Sequence, residues 1–309
     1  AENGYGVSPE SAAFFPLWPA LIKMFRFLGK DSWLYVALVW QLTMWAAAFY
    51  LMGKVFDNSA RIFGGLRWMT LLFPASIFFI APYPELTFVV LVNCALYSIQ
   101  VQNKWGLIAS LILLIATKHI SMIAAPALIA PLFLLNSGKP LRVAAVMGVL
   151  LGWIFVFGFF AGTTGHALSW ITAQSQWGRS VGTPLHFLYD LGGKALDWAL
   201  YSFLAGYAWY WSFCVLYKSL KANRNQARLG LELEHVCALF FAIAVLTPVV
   251  WGTSVQSIYR IVMIAFPGLI CIRGMFFKGS KTTRYLAAGV WVLLTLSNIY
   301  KFSSGLHLP

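Results

Sequence analysis

LRVAAVMGVLLGWIFVFGFFA, residues 141–161, decides the fold class. Its only charge is Arg142, near the start, and it holds no proline. At ~1.5 Å per residue such a helix reaches about 30 Å, the hydrocarbon thickness of a bilayer. The pattern repeats on both sides of it. The 309 residues are 60% hydrophobic and 10% charged, and the mean hydropathy is +0.76. No single water-soluble core of that length hides so much apolar surface. A bilayer accepts it as helices whose backbone groups bond internally. Spans are predicted near 33–53, 68–82, 85–102, 105–118, 120–136, 141–161, 196–217, 235–252, 257–277 and 285–300. The expectation is an all-α, polytopic membrane protein of about ten transmembrane helices forming a single domain, 1–309.

The few charges are sorted. Alternating helix direction puts Lys54, Arg61, Arg67, Lys104, Lys139, Arg142, Lys218, Lys221, Arg224, Arg228, Arg273, Lys278, Lys281 and Arg284 on one side, fourteen of the 22 basic residues. The excess of Lys and Arg predicts that side to be cytoplasmic. Basic residues at helix ends suit anionic headgroups, so the formal charge of +13 points to a lipid bilayer and not to nucleic acid. Cys94, Cys214, Cys237 and Cys271 lie far apart in apolar runs and read as small buried hydrophobes.

Residues 13–30 read differently. Lys23, Arg26 and Lys30 recur on one helical face, and Leu17, Leu21, Met24 and Leu28 on the other. That pattern predicts an amphipathic helix lying in the interface, within a first outer loop, 1–32. The non-cytoplasmic face also gathers the turn at Tyr83-Pro84-Glu85, the Lys118-His119 pair, a long loop at 162–195 and the loop 251–259. The long loop carries Trp170, Gln174 and Trp177 among its polar and aromatic residues.

Some of these residues suit chemistry. A carboxylate near hydrocarbon costs roughly 2.5–3.5 kcal/mol on insertion scales, so Glu85 needs a partner or a role. Its other reading is an interfacial carboxylate solvated by headgroups. Pro74, Pro82 and Pro84 around it suggest a bent, widened helix-turn-helix. Lys118 and His119 read either as cationic contacts for a phosphate or as a snorkelling lysine beside a boundary histidine. Arg260, accompanied by Gln256 and Tyr259, suits a bidentate grip on phosphate oxygens, or an interface anchor. Glu10 is a carboxylate placed to act on a hydroxyl from the first loop, or a solvated surface acid. There is no GxSxG, HExxH, CxxC or phosphate-loop pattern.

Four blocks carry a family resemblance. AENGYGVSPESAAFFPLWP (1–19) resembles the first lumenal loop of the PIG-V type, GPI mannosyltransferase II-like family and its bacterial relatives, where "IAxxGY" precedes "FFPxxP". FPASIFFIAPYPELTFVVL (73–91) resembles the family's "FPASxFxxxxYSExLF", with Pro84 in place of a serine. WGLIASLILLIATKHISMIAAPAL (105–128) resembles the next segment, with Lys118-His119 where Arg-Ser/Asn is usual. SIYRIVMIAFPGLI (257–270) resembles the helix written "R-Y-hydrophobic-P". The first two blocks together are the most specific, and the match covers roughly the first 130 residues, continuing mainly as helix pattern.

The resemblance implies a GT-C fold and an inverting glycosyltransferase, a mannosyltransferase by family. It would move a sugar from a polyprenyl-phosphate donor to a lipid-linked or glycan acceptor on the non-cytoplasmic face. Within that activity the candidate residues take these roles: Glu10 and Glu85 in catalysis, Lys118, His119 and Arg260 on the donor phosphate, and Tyr83, Gln174, Trp177, Gln256 and Tyr259 on substrate. The family's own acid lies in a Trp-Asp element upstream of "IAxxGY", so the chain reads as N-terminally truncated. No cofactor is implied, and a divalent metal is left open. The location implied is a bacterial inner membrane, or alternatively the endoplasmic reticulum membrane. The competing readings are a transporter or flippase and a non-catalytic subunit of a membrane complex.

Overall fold

The computed structural model describes residues 15–25, 33–56, 83–134 and 138–175, with isolated positions between 206 and 304. Every regular element among the described residues is helical. The helices are α1 (Leu17–Phe25), α2 (Trp33–Phe56), α3 (Glu85–Gln100), α4 (Lys104–Thr117), α5 (Ser121–Leu134), α6 (Lys139–Thr164) and α7 (Ser169–Ser175). Helices α2 to α6 thus stand where five of the spans are expected. The spans expected at 68–82 and 257–277 lie outside the described residues. Those at 196–217, 235–252 and 285–300 are described only at scattered helical positions.

Two helices, α2 and α6, are long and apolar enough to cross a membrane. The helices α3, α4 and α5 are equally apolar but shorter, at 16, 14 and 14 residues. At ~1.5 Å per residue they reach only about 21–24 Å. The described residues therefore hold two helices of spanning length, where the sequence suggested five over the same stretch.

Local chemistry sets the boundaries. α3 begins behind Pro84, which has no N–H to donate and already holds a helical φ of −75°. It ends in a tight hairpin. Gln102 takes a left-handed φ of 57°, the Asn103 amide donates to Ser98 O at 2.8 Å, and the Asn103 side chain caps α4 by accepting from the Gly106 amide at 3.0 Å. α6 runs on to Thr164 and stops at Gly165, whose φ of 80° suits glycine. The stretch expected as a loop from 162 therefore opens with the last turn of α6, followed by α7. Thr164 Oγ1 and Ser169 Oγ, 2.8 Å apart, stitch the two helices together.

Helix directions follow from contacts at three helix pairs. Glu85 at the start of α3 meets Lys118 just past the end of α4, and Gly106 abuts Ser98 near the hairpin, so α3 and α4 are antiparallel. Gly148 and Gly152 of α6 face Leu111 and Ile115 of α4 in the same order, so those two are parallel. Gln41 and Trp40 of α2 bond to Tyr83 and Thr87. The buried face of α2 continues through Ala48, Met52 and Val55, alongside α3. Lys54, Lys104, Lys139 and Arg142 consequently share one end of the bundle, and Glu85 and Lys118 share the other.

α1 is amphipathic, as expected; Trp18 and the preceding Phe15 are buried against the bundle, while Met24 of the expected apolar face is 55% exposed.

The α4–α6 seam relies on missing side chains. A Cβ on Gly148 would sit 3.0 Å from Leu111 Cβ and 3.1 Å from Ile108 Cα, and one on Gly152 only 3.1 Å from Ile115 Cβ. Small residues are what let two helix backbones approach this closely. Gly148→Ala is expected to destabilise the fold by about 1–3 kcal/mol through overpacking. Gly158→Ala, whose Cβ meets no described atom within 4 Å, should be silent. Detergent-resistance or denaturant titrations of the two variants side by side test this; equal midpoints would rule out a tight seam.

Candidate functional site

The site begins with two helix ends. Glu85 is the first residue of α3 and Lys118 the cap residue of α4, its backbone extended at φ −161° and ψ 151°. A carboxylate is favoured at a helix N-terminus and an ammonium at a C-terminus, because each opposes the partial charge of the unpaired backbone groups there. The antiparallel hairpin lays the two ends side by side. Lys118 Nζ donates to Glu85 Oε1 at 2.6 Å, with the Glu85 side chain wholly buried and that of Lys118 13% exposed. Glu85 is therefore not a headgroup-solvated interfacial acid. Lys118 is not a bare cation either: a phosphate approaching it meets an ion pair.

α2 fixes this end from the side. Gln41, itself 2% exposed, donates through Nε2 to Tyr83 O at 2.8 Å, and Trp40 Nε1 donates to Thr87 Oγ1 at 3.1 Å. Between them they clamp the residues on either side of Glu85. Gln41 belongs to the site although nothing in the sequence reading singled it out. The available signal was one amide side chain inside an otherwise apolar helix.

A ring cluster lies over the α4–α5 turn. In that turn the Ser121 and Met122 amides donate to the Lys118 and His119 carbonyls at 2.9 and 3.1 Å, and the Ser121 side chain is fully buried. The Phe15 ring sits 6.4 Å from His119, 5.7 Å from Phe160 and 5.5 Å from Trp170, edge-on to the last two. Such pairs add about 0.5–1.5 kcal/mol each beyond the area they bury. The first loop, the α4–α5 turn, the end of α6 and the start of α7 thus meet at one ring.

Of the residues expected to form a site, the structure brings Tyr83, Glu85, Lys118 and His119 together, with Tyr83 half-buried against the core. Gln174 lies on α7, one turn beyond Trp170. Glu10, Trp177, Gln256, Tyr259 and Arg260 fall outside the described residues. Among the described residues no group of three His, Cys, Asp or Glu side chains is placed to hold a metal ion.

No family model, curated protein or solved structure matches the chain.

The ion pair makes a strong thermodynamic prediction. Removing one partner strands a buried charge and costs roughly 3–5 kcal/mol, whereas replacing both leaves a neutral, well-filled site. Glu85→Gln and Lys118→Met are each expected to destabilise the protein by that order. The double variant should lie closer to wild type than either single one. Additive losses in a denaturant double-mutant cycle would show that the two side chains do not depend on each other.

Proposed function

We propose that this chain is an integral, multi-pass membrane glycosyltransferase of GT-C type, a relative of the PIG-V type mannosyltransferases. On this reading it transfers a sugar from a polyprenyl-phosphate donor to a lipid-linked or glycan acceptor on the non-cytoplasmic face. The observation that carries the reading is convergence. Three of the four blocks behind the family resemblance contribute Phe15, Glu85 and Lys118-His119 to one end of the bundle, opposite Lys54, Lys104, Lys139 and Arg142.

Membrane insertion is supported by the outward faces of the two long helices. Leu38, Val39, Leu42 and Trp45 of α2 are exposed, as are Met147, Leu150, Leu151, Ile154 and Phe155 of α6. Continuous apolar faces of that size suit lipid or other apolar helices rather than water. The basic end then faces the cytoplasm, and the Glu85–Lys118 end lies toward the other leaflet. A bacterial inner membrane is the location proposed, with the endoplasmic reticulum as the alternative.

The chemistry proceeds by inversion. The acceptor oxygen attacks the anomeric carbon from the face opposite the phosphate and forms the new glycosidic bond. The bond from the anomeric carbon to the phosphate oxygen breaks, and polyprenyl phosphate leaves with the electron pair. A carboxylate about 3 Å from the acceptor takes the hydroxyl proton, and cations stabilise the charge gathering on the departing phosphate. In this chain Glu85 and Glu10 are the proposed bases. Lys118, His119 and Arg260 hold the phosphate, while Tyr83, Gln174, Trp177, Gln256 and Tyr259 line the substrate.

Transport is the competing reading. It calls for polar groups through the middle of the helices. Asn93 and Ser110 are buried there; Asn93 Nδ2 donates to Val89 O and Ser110 Oγ to Gly106 O, each within its own helix, which leaves the buried Asn93 Oδ1 as the mid-helix polar atom that a transport reading would use.

The test is transfer itself. Membranes holding the protein, given radiolabelled polyprenyl-phosphate mannose, are expected to yield labelled glycolipid or glycan. Lys118→Ala and Arg260→Ala should each lower that yield at least tenfold with the protein still inserted. Transfer unaffected by both changes would end the phosphate assignment. No transfer from any polyprenyl-phosphate sugar would favour the transporter or subunit readings.

A further inference from the structure

The α4–α6 seam brings three cations together at the end of the bundle opposite Glu85. Gly148 lies against Ile108 and Leu111, and Gly152 against Ile112 and Ile115. Carried about two turns back along these parallel helices, that register puts Lys104, the first residue of α4, level with Arg142 in the first turn of α6. Lys139 lies less than one turn beyond. Lys104 also stands on the stripe of α4 that packs on α6, four residues before Ile108. Lys104 and Lys139 are exposed and Arg142 is partly buried. Among the described residues none of the three meets a carboxylate, and Arg142 Nε is buried without an acceptor. The first turn of α6 adds the positive end of its dipole, and no side chain caps it.

The surface beside the cations points to the ligand. Lys139, Val143, Val146 and Leu150 follow one another at helical spacing on α6, and all four are exposed, the apolar three by 38–49%. From Lys139 to Leu150 the stripe runs about 16 Å. Trp105, next to Lys104, is 77% exposed, as suits a ring at headgroup depth. A soluble anion would use the cations alone, whereas a lipid uses the stripe as well.

We propose that Lys104, Lys139 and Arg142 bind the phosphate of an anionic membrane lipid whose acyl chain lies along Val143, Val146 and Leu150. The two ammonium groups act as point charges, and the guanidinium donates to phosphate oxygens. This lipid sits at the opposite end of the bundle from the proposed donor phosphate, so it is a resident of the cytoplasmic leaflet and not the sugar donor. The site rests on the membrane setting proposed above but not on sugar transfer, and its test needs no activity.

The chain is reconstituted in phosphatidylcholine bilayers, with Cys94, Cys214, Cys237 and Cys271 replaced by alanine and Val146→Cys labelled with bimane. Quenching is titrated with phosphatidylglycerol or phosphatidylcholine brominated in the upper acyl chain. Brominated phosphatidylglycerol is expected to reach half-quenching at a mole fraction about fivefold lower or less. Lys104→Gln with Lys139→Gln, two exposed changes that leave the packing alone, should remove most of that preference, and adding Arg142→Gln should remove the rest. Equal quenching by the two lipids, or a preference that survives both lysine changes, would overturn the site. The membrane setting would then still stand, because quenching by both lipids puts Val146 against acyl chains. Quenching by neither would sink both. Inorganic phosphate, with ionic strength matched by chloride, should leave the preference unchanged; its loss would mark a site for soluble anions and refute the lipid assignment.

Discussion

A carboxylate and an ammonium, each at the end of a helix whose dipole favours it, meet in the interior at 2.6 Å. Much of the described bundle depends on that meeting. Neither charge is tolerable alone in apolar surroundings, and each makes the other's burial affordable. The pairing fixes the α3–α4 hairpin at its open end, as the Asn103 cap and the Gln102 turn fix it at its closed end. Between those two points α3 and α4 need only apolar side chains to stay in register. Gln41 and Trp40 then tie α2 to the charged end rather than to the middle.

The second organising feature is the mismatch of helix lengths. Long α2 and α6 flank shorter α3, α4 and α5. The close α4–α6 seam at Gly148 and Gly152 prevents the short helices from sliding along the long one to even out their ends. The difference collects on the Glu85 side, where Phe15, just before α1, and Trp170 of α7 are buried against each other.

Charge and hydropathy order residues along the helix axis, and that dimension was legible. The expected spans 33–53, 85–102, 105–118, 120–136 and 141–161 start within two residues of α2 to α6, and the Glu85 and Lys118 ends were assigned to one face before any contact was known. Hydropathy does not report rotation about that axis. Helices apolar on all sides carry no moment that says which face meets which neighbour. Hence the sequence put Glu85 and Lys118 at one level as separate candidates without joining them, and it passed over Gln41, whose importance lies wholly in where it points. Phe15 is visible only as part of a family-like block. α7 was hidden because seven residues give too short a periodic signal.

The ion pair also constrains the sugar-transfer reading from within. The Glu85 oxygen that would take an acceptor's proton shares its side chain with the oxygen that accepts from Lys118. An ammonium sharing its charge with a carboxylate is a weaker phosphate ligand. The roles assigned to Glu85 and Lys118 are therefore not independent. On that reading a donor phosphate competes with Glu85 for the same ammonium, so the two proposed assignments stand or fall together.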